Sequence, residues 1–287
     1  MIPGAFNYHC PSTVADAVAL LSSLGDEARP LGGGHSLIPM MKLRLATPEH
    51  LIDLHCIASL KGIRQEADRL VIGAMTTQHE LLASPEVSAA FPILKETALL
   101  IADPQVRYRG TLGGNVVNGD PGNDMPALMM TLGASYRLEG PDGARDVAAS
   151  DFYQGAYFTA LEPGELLTAI TIPFAASGHG YAYEKLKRKV GDYATAAAAV
   201  MLTMANGKVE SCSIGLTNLS DTPLLAEAAA DAVIGTGLDD DTLKKASERA
   251  QEIMSPAADA RGPVEYRKHV GGIMVMRALK RAAARAA

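Results

Sequence analysis

Apolar and polar positions in the first 55 residues switch repeatedly between helical and strand spacing. Val14, Val18 and Leu21 fall on one helical face, with Thr13 placed to cap the helix and Asp16 three residues on in a capping-box-like pattern. Arg29-Pro30-Leu31 reads as a short strand that runs straight into Gly32-Gly33-Gly34-His35-Ser36. Leu37, Met40 and Met41 then mark a second helix, and Leu51-Ile52-Asp53-Leu54 a further strand. This alternation predicts a small α/β unit over about 1–56.

The pattern changes after residue 57. Ile63 to Glu66 and Leu70 to Gly73 bracket Ala67-Asp68 like a hairpin, and helical spacing follows, notably over 92–102. Residues 110–126 are rich in Gly, Asn, Asp and Pro and hold few apolar residues. Segments 136–139 and 144–147 flank Gly140-Pro141-Asp142-Gly143, a strong turn signal, and 167–172 reads as a strand before Pro173. The small residues at 175–180 suggest a boundary. Beyond it, Asn206-Gly207 separates two apolar runs and predicts a hairpin, because both turn residues must take positive φ. The alanines at 196–199 argue weakly for helix there, and the turn is given precedence. Residues 223–287 read as helical throughout. The fold class expected is α+β: a domain at 1–177, made of two α/β subdomains (about 1–56 and 57–177), then a domain at 178–287 with a small antiparallel sheet and helices.

Composition narrows the function classes. The 287 residues carry a formal net charge of −6, so nothing draws the chain as a whole to nucleic acid or an anionic membrane. Arg277, Lys280, Arg281 and Arg285 form a basic C-terminus that reads as the solvated face of a last helix. Three cysteines, Cys10, Cys56 and Cys212, are widely spaced and form no C-x-x-C pair, which leaves an iron–sulfur cluster or zinc ion without a recognisable ligand set. Asp53, His55 and His79 likewise lack metal spacing. The N-terminus shows no export signal and no apolar run approaches membrane-spanning length, so a reducing cytoplasm is the expected compartment.

Two glycine clusters carry the chemistry. The segment 32–36 lies between a strand and a helix, where a backbone without Cβ atoms can turn successive N–H groups toward an anion such as a pyrophosphate. His35 could touch a phosphate or be a plain polar side chain. The second cluster is Gly110-Thr111-Leu112-Gly113-Gly114-Asn115, followed by Asn118-Gly119-Asp120-Pro121-Gly122-Asn123-Asp124. Thr111 and Asn115 offer neutral hydrogen-bonding groups; Asp124 either starts a helix or binds a sugar hydroxyl or ring edge. Neither cluster fits the common dinucleotide or P-loop fingerprints, so either one alone could be a tight turn. Lys185 opens a basic run to Lys189 that is either solvated or turned to a ligand or partner. Tyr193 reads as packing or as a cover for a flat ring.

At these loops the sequence resembles the flavin-binding subunits of the xanthine dehydrogenase and molybdenum hydroxylase family. Further stretches extend the resemblance over essentially the whole chain: Met1-Ile2-Pro3-Gly4, 73–79, 118–128 and Gly191-Asp192-Tyr193-Ala194-Thr195 look like the branch whose complexes oxidise carbon monoxide. Relatives often carry Ala where this chain has Gly32. The resemblance implies FAD as cofactor, held by Gly32, Gly33, Gly34, His35 and Ser36 and by Thr111, Leu112, Gly113, Gly114 and Asn115. Ile101, Asp124 and Leu161 match cofactor-contacting positions, Tyr193 would cover the isoalloxazine ring, and Lys185 matches a lysine near the flavin. It implies partners too: a large molybdenum-containing subunit and a small [2Fe–2S] subunit in a dimer of heterotrimers, possible peripheral association with the inner face of the cytoplasmic membrane, and a quinone as acceptor. Flavin subunits of the same family also serve complexes that act on N-heterocycles or aldehydes. No residue here is expected to be a catalytic acid or base, nor a metal ligand.

Overall fold

The computed structural model describes residues 2–286. Met1 and Ala287, the outer bounds of the two expected domains, lie outside the described residues, as does the Met1 of the N-terminal tetrapeptide. The first unit is a three-stranded parallel sheet in the order Asn7–His9, His50–Asp53, Ala28–Leu31. Parallel neighbours need crossovers, and the helices Val14–Leu24 and Leu37–Lys42 lie in the two connections. The Thr13 hydroxyl accepts the Asp16 N–H at 3.1 Å, and the capped helix buries Ala17, Val18 and Leu21 against Ile52, Ile57 and Leu60. Because the strands run parallel, all three leave the sheet at one edge, through Cys10, Gly32 and Leu54. The strand expected over 51–54 stops at Asp53, whose side chain accepts the His55 N–H at 2.9 Å and starts the 3₁₀ turn Leu54–Cys56.

The second unit holds a five-stranded antiparallel sheet, in the order Ile63–Gln65, Arg69–Gly73, Leu166–Pro173, Ser135–Gly140, Gly143–Ala148. Both sequence-predicted hairpins are present. Helices between residues 78 and 131 cover this sheet, and those beginning at Pro85, Pro92 and Pro104 place proline in the first helical turn, where its missing N–H removes no bond. Within the stretch rich in Gly, Asn, Asp and Pro, for which the pattern predicts no element, Leu112–Val117 is helical. The Thr111 hydroxyl caps it, accepting the Gly114 N–H at 3.0 Å, and Leu112 and Val116 anchor it in the core. Burial of those two side chains overrides the poor helix propensity of the glycines.

The third unit is the antiparallel sheet Gly180–Leu186, Ala196–Ala205, Lys208–Thr217, Leu224–Leu225. Asn206 and Gly207 take φ of 52° and 73° in its central turn, as the dipeptide predicts. The alanine run is strand, and its alternation explains the composition. Ala197, Ala199 and Met201 pack into the core shared with the middle unit; Ala196, Ala198, Val200 and Leu202 face the C-terminal helices. A strand buried on both faces has room for little more than methyl groups where helices lie close.

Residues 223–287 depart from the all-helical expectation. Leu224–Leu225 adds a strand, and an irregular stretch at 254–263 separates Asp240–Ile253 from Val264–Ala283. That stretch is fastened by the buried Arg267, which donates to the carbonyls of Ala257, Asn218 and Thr195. The basic C-terminus is also not merely solvated. Arg281 pairs with Glu184 at 2.6 Å and Glu96 at 2.8 Å, and Arg285 pairs with Glu96 at 2.9 Å. These ion pairs tie the last helix to both the third sheet and the helix Pro92–Leu100. Among the described residues no helix is long and apolar enough to cross a membrane.

Candidate functional site

The strand Ala28–Leu31 ends where the first glycine segment begins, and the short helix Leu37–Lys42 starts after it. The carbonyls of Gly34 and Ser36 accept from Ile38 and Met40, at 3.0 and 3.2 Å. The N–H groups of Gly33, Gly34, His35 and Ser36 donate to no backbone carbonyl among the described residues. Four consecutive donors are thus left for something else. Gly33 is also where the two glycine segments touch: a Cβ there would land on the Arg109 carbonyl oxygen and 2.6 Å from the Gly110 Cα.

The second segment uses its donors internally. Leu112 N–H donates to Thr76 O at 2.8 Å, Gly113 N–H to Ala74 O at 2.9 Å, and Asn115 N–H to Thr111 O at 3.1 Å. Gly113 sits so close to Ala74 that an added Cβ would be 2.6 Å from its carbonyl oxygen. Asn115 is fixed to the following turn: its carbonyl accepts from Asn123 Nδ2 at 2.8 Å and its Oδ1 from Met125 N–H at 3.3 Å.

Between these segments runs a cavity of about 510 Å³, inside the ~300–1,000 Å³ range of cofactor sites. Gly32, Gly33, Gly34, His35, Ser36, Ile101, Thr111, Gly113, Gly114, Asn115, Asp124, Leu161, Lys185 and Tyr193 all line it. Leu112 alone of the expected residues does not. Its side chain is wholly buried in the core and its N–H is bonded to Thr76, so it anchors the helix instead.

The third sheet closes the cavity with a buried polar cluster. Lys185 Nζ lies 2.7 Å from Asp124 Oδ2 and donates to Leu100 O at 3.3 Å, while Tyr183 OH donates to Asp124 Oδ1 at 2.6 Å. Burial pushes the Asp124 carboxyl up, against the opposing pull of the Lys185 ammonium and the Tyr183 hydroxyl. The solvated reading of the basic run therefore fails at Lys185, whose side chain is 1% exposed. Asp124 occupies the first position of Asp124–Thr131 and Asn123 the cap position, so the Asp124 carboxylate serves the lysine rather than its own helix. Tyr193 is half-exposed on the cavity rim, its hydroxyl pushed up to about 12 by burial and by Asp120. The Arg261 guanidinium stands 5.8 Å from its ring centroid.

Comparison with known proteins identifies the family. The family described as the FAD binding domain in molybdopterin dehydrogenase matches residues 4–175, and the CO dehydrogenase flavoprotein C-terminal domain matches 181–282. The chain belongs to this FAD-binding family. It is 65% identical to the carbon monoxide dehydrogenase medium chain of Afipia carboxidovorans, over 100% of this chain and 99% of that one. Identity to the corresponding chain of Hydrogenophaga pseudoflava is 49%, over 100% of both. A crystal structure of a cyanide-inactivated Cu,Mo-CO dehydrogenase superposes with a TM-score of 0.99 at 65% identity, covering 100% of both chains.

The residues present suit the FAD of this family. A dinucleotide needs donors for a pyrophosphate, a flat apolar face for its ring and polar groups for its edges; the free N–H groups at 33–36, Tyr193 and the Lys185–Asp124 pair supply these kinds of group. One further polar residue was not singled out from sequence. Gln78, at the start of Gln78–Ala83, lines the same cavity while 2% exposed, and among the described residues neither its Nε2 nor its Oε1 has a hydrogen-bond partner. A buried amide with neither end satisfied costs stability unless a ligand or water completes it. The resembling stretch 73–79 contains Gln78, but residue type alone does not reveal an orphaned amide.

Proposed function

We propose that the chain is the FAD-carrying, electron-transfer subunit of a molybdenum-containing carbon monoxide dehydrogenase. The observation that carries this reading is the 65% identity, over its whole length, to a carbon monoxide dehydrogenase medium chain. A medium chain works beside larger and smaller ones. On the large, molybdenum-bearing subunit CO and water become CO₂, two protons and two electrons; the small subunit relays the electrons through [2Fe–2S] clusters. When bound, FAD would supply the redox chemistry here, linking the clusters of the small subunit to an external acceptor, a quinone in this reading. The assembly is a dimer of heterotrimers, resting peripherally on the inner face of the cytoplasmic membrane.

The chain's own residues bind, orient and shield. Residues 1–177 form the FAD domain and 178–287 the C-terminal domain that closes over it. The N–H groups of residues 33–36 would hold the pyrophosphate, a role that requires no cationic side chain because each amide contributes a fixed partial positive charge. Thr111, Gly113, Gly114 and Asn115 would hold the adjoining part of the cofactor and keep the first segment in place. Ile101 and Leu161 supply apolar contact. Tyr193 would cover the isoalloxazine ring, and the Lys185–Asp124 pair would set a fixed local field near it. No proton need move through any of them during turnover.

The test is the absorption spectrum of the complex before and after anaerobic addition of CO. Bleaching of the oxidised flavin band is expected. A flavin band indifferent to CO but bleached by purines or aldehydes would keep the flavin-subunit role and move the substrate. A complex without flavin would overturn the reading of both glycine segments.

A further inference from the structure

The parallel sheet brings together two thiols that are 46 positions apart in the chain. Cys10 follows the strand Asn7–His9, and Cys56 ends the turn that follows His50–Asp53. These strands are paired neighbours, His9 opposite Ile52, so both cysteines emerge at the same sheet edge. Their Sγ atoms are 2.6 Å apart and both residues are exposed. The surroundings hold this arrangement: Tyr8 OH donates to Asp53 Oδ2 at 2.6 Å, and Asp53 Oδ1 accepts the His55 N–H at 2.9 Å. Those two bonds fix the strand exit on which Cys56 rides to the strand that leads into Cys10. The neighbouring Cys10 thiol pushes the Cys56 thiol above its ordinary range. The mechanism proposed above uses neither sulfur.

We propose that Cys10 and Cys56 are a dithiol site that closes reversibly to a disulfide. With a low-molecular-weight disulfide such as oxidised glutathione as the oxidant, one cysteine thiolate attacks and forms a mixed disulfide, releasing one glutathione thiol. The second cysteine then displaces the other glutathione. Two protein S–H bonds and one small S–S bond are lost; one protein S–S bond and two glutathione thiols are formed, and the two protons end on the glutathione. The crosslink closes a loop that contains the strand Ala28–Leu31 and the whole first glycine segment. Leu54, two residues before Cys56, lines the cavity, so the bond also restrains one wall of it.

The reduced, purified complex is equilibrated with oxidised glutathione, quenched by alkylation and mapped by mass spectrometry without reduction. A peptide pair joined through Cys10 and Cys56 is expected, with the chain's free thiols falling from three to one, Cys212. Dithiothreitol restores all three. Cys10→Ser and Cys56→Ser each abolish the crosslink and leave the remaining cysteine as a glutathione adduct. Retention of three free thiols, glutathione adducts on both cysteines of the unaltered chain, or a disulfide joining two copies would each overturn the proposal.

Discussion

The glycines at 32–34 and at 113–114 look alike in the sequence, yet their surroundings use them for opposite ends. The first segment lines a cavity, and among the described residues its N–H groups at 33–36 have no backbone acceptor. The second spends its N–H groups on Thr76, Ala74 and Thr111 and presses Gly113 against Ala74, where a side chain has no space. One segment exposes donors and the other supports them. A glycine cluster is therefore not in itself a phosphate cradle; what distinguishes the two is where the neighbouring carbonyls lie.

The contact from the third sheet bears on this contrast most strongly. Lys185→Met should destabilise the chain by about 3–5 kcal/mol, because it strands the Asp124 carboxylate in a buried site. Adding Asp124→Asn to the same chain should recover much of the loss; chemical denaturation of the three variants measures it.

The two segments themselves are separated by matched alanines. Gly113→Ala forces the backbone away from Ala74 and should cost about 1–3 kcal/mol in the flavin-free chain. Gly32→Ala, whose Cβ would stand 3.1 Å from the Thr111 hydroxyl, should cost less than about 0.5 kcal/mol. Equal costs would erase the distinction between donor and support segments.

Gln78→Leu sharpens the point from the other side. Removing an amide with neither end paired should leave the flavin-free chain as stable or up to about 1 kcal/mol more stable. The same variant should bind FAD more weakly, as read by flavin fluorescence quenching. Unchanged affinity would mean that Gln78 is an unpaired wall residue and nothing more.

The smallest effect is expected at Glu165, also on the cavity wall. Arg145 donates to both its carboxylate oxygens at 2.7 Å, and this pairing holds the carboxyl below its ordinary range. A lowered folded-state pKa gives stability that is present above the unfolded value, about 4.3, and is lost as pH falls through the folded value. Glu165→Gln should therefore cost less than about 1 kcal/mol at neutral pH, since Arg145 is 38% exposed, with the difference from the unaltered chain closing in acid.

Much of this was legible in the sequence where one local signal sufficed. Asn206-Gly207 fixed a hairpin by its φ requirement, Thr13 capped the helix over Val18 and Leu21, and Gly140 to Gly143 turned between two strands. Local signals failed where burial from afar decided. Leu112 and Val116 make a helix of a glycine-rich stretch because the core takes them in, which also removes Leu112 from the cavity. Lys185 opens a basic run but is drawn inward by Asp124, 61 positions away. Arg281 and Arg285 meet Glu96 only because the last helix returns to the middle unit. Cys10 and Cys56 are neighbours only through strand pairing. Residue type and spacing report a residue's own preferences; the partner that overrides them becomes visible once the chain is folded.

A crystal structure of the FAD-loaded complex tests the central claim most directly. The pyrophosphate oxygens should lie within hydrogen-bonding distance of the N–H groups of residues 33–36, with the 111–115 segment still bonded to Thr76 and Ala74. Phosphates held instead by the side chains of Arg107 or Arg109, with residues 33–36 facing solvent, would contradict the division of labour between the two glycine segments.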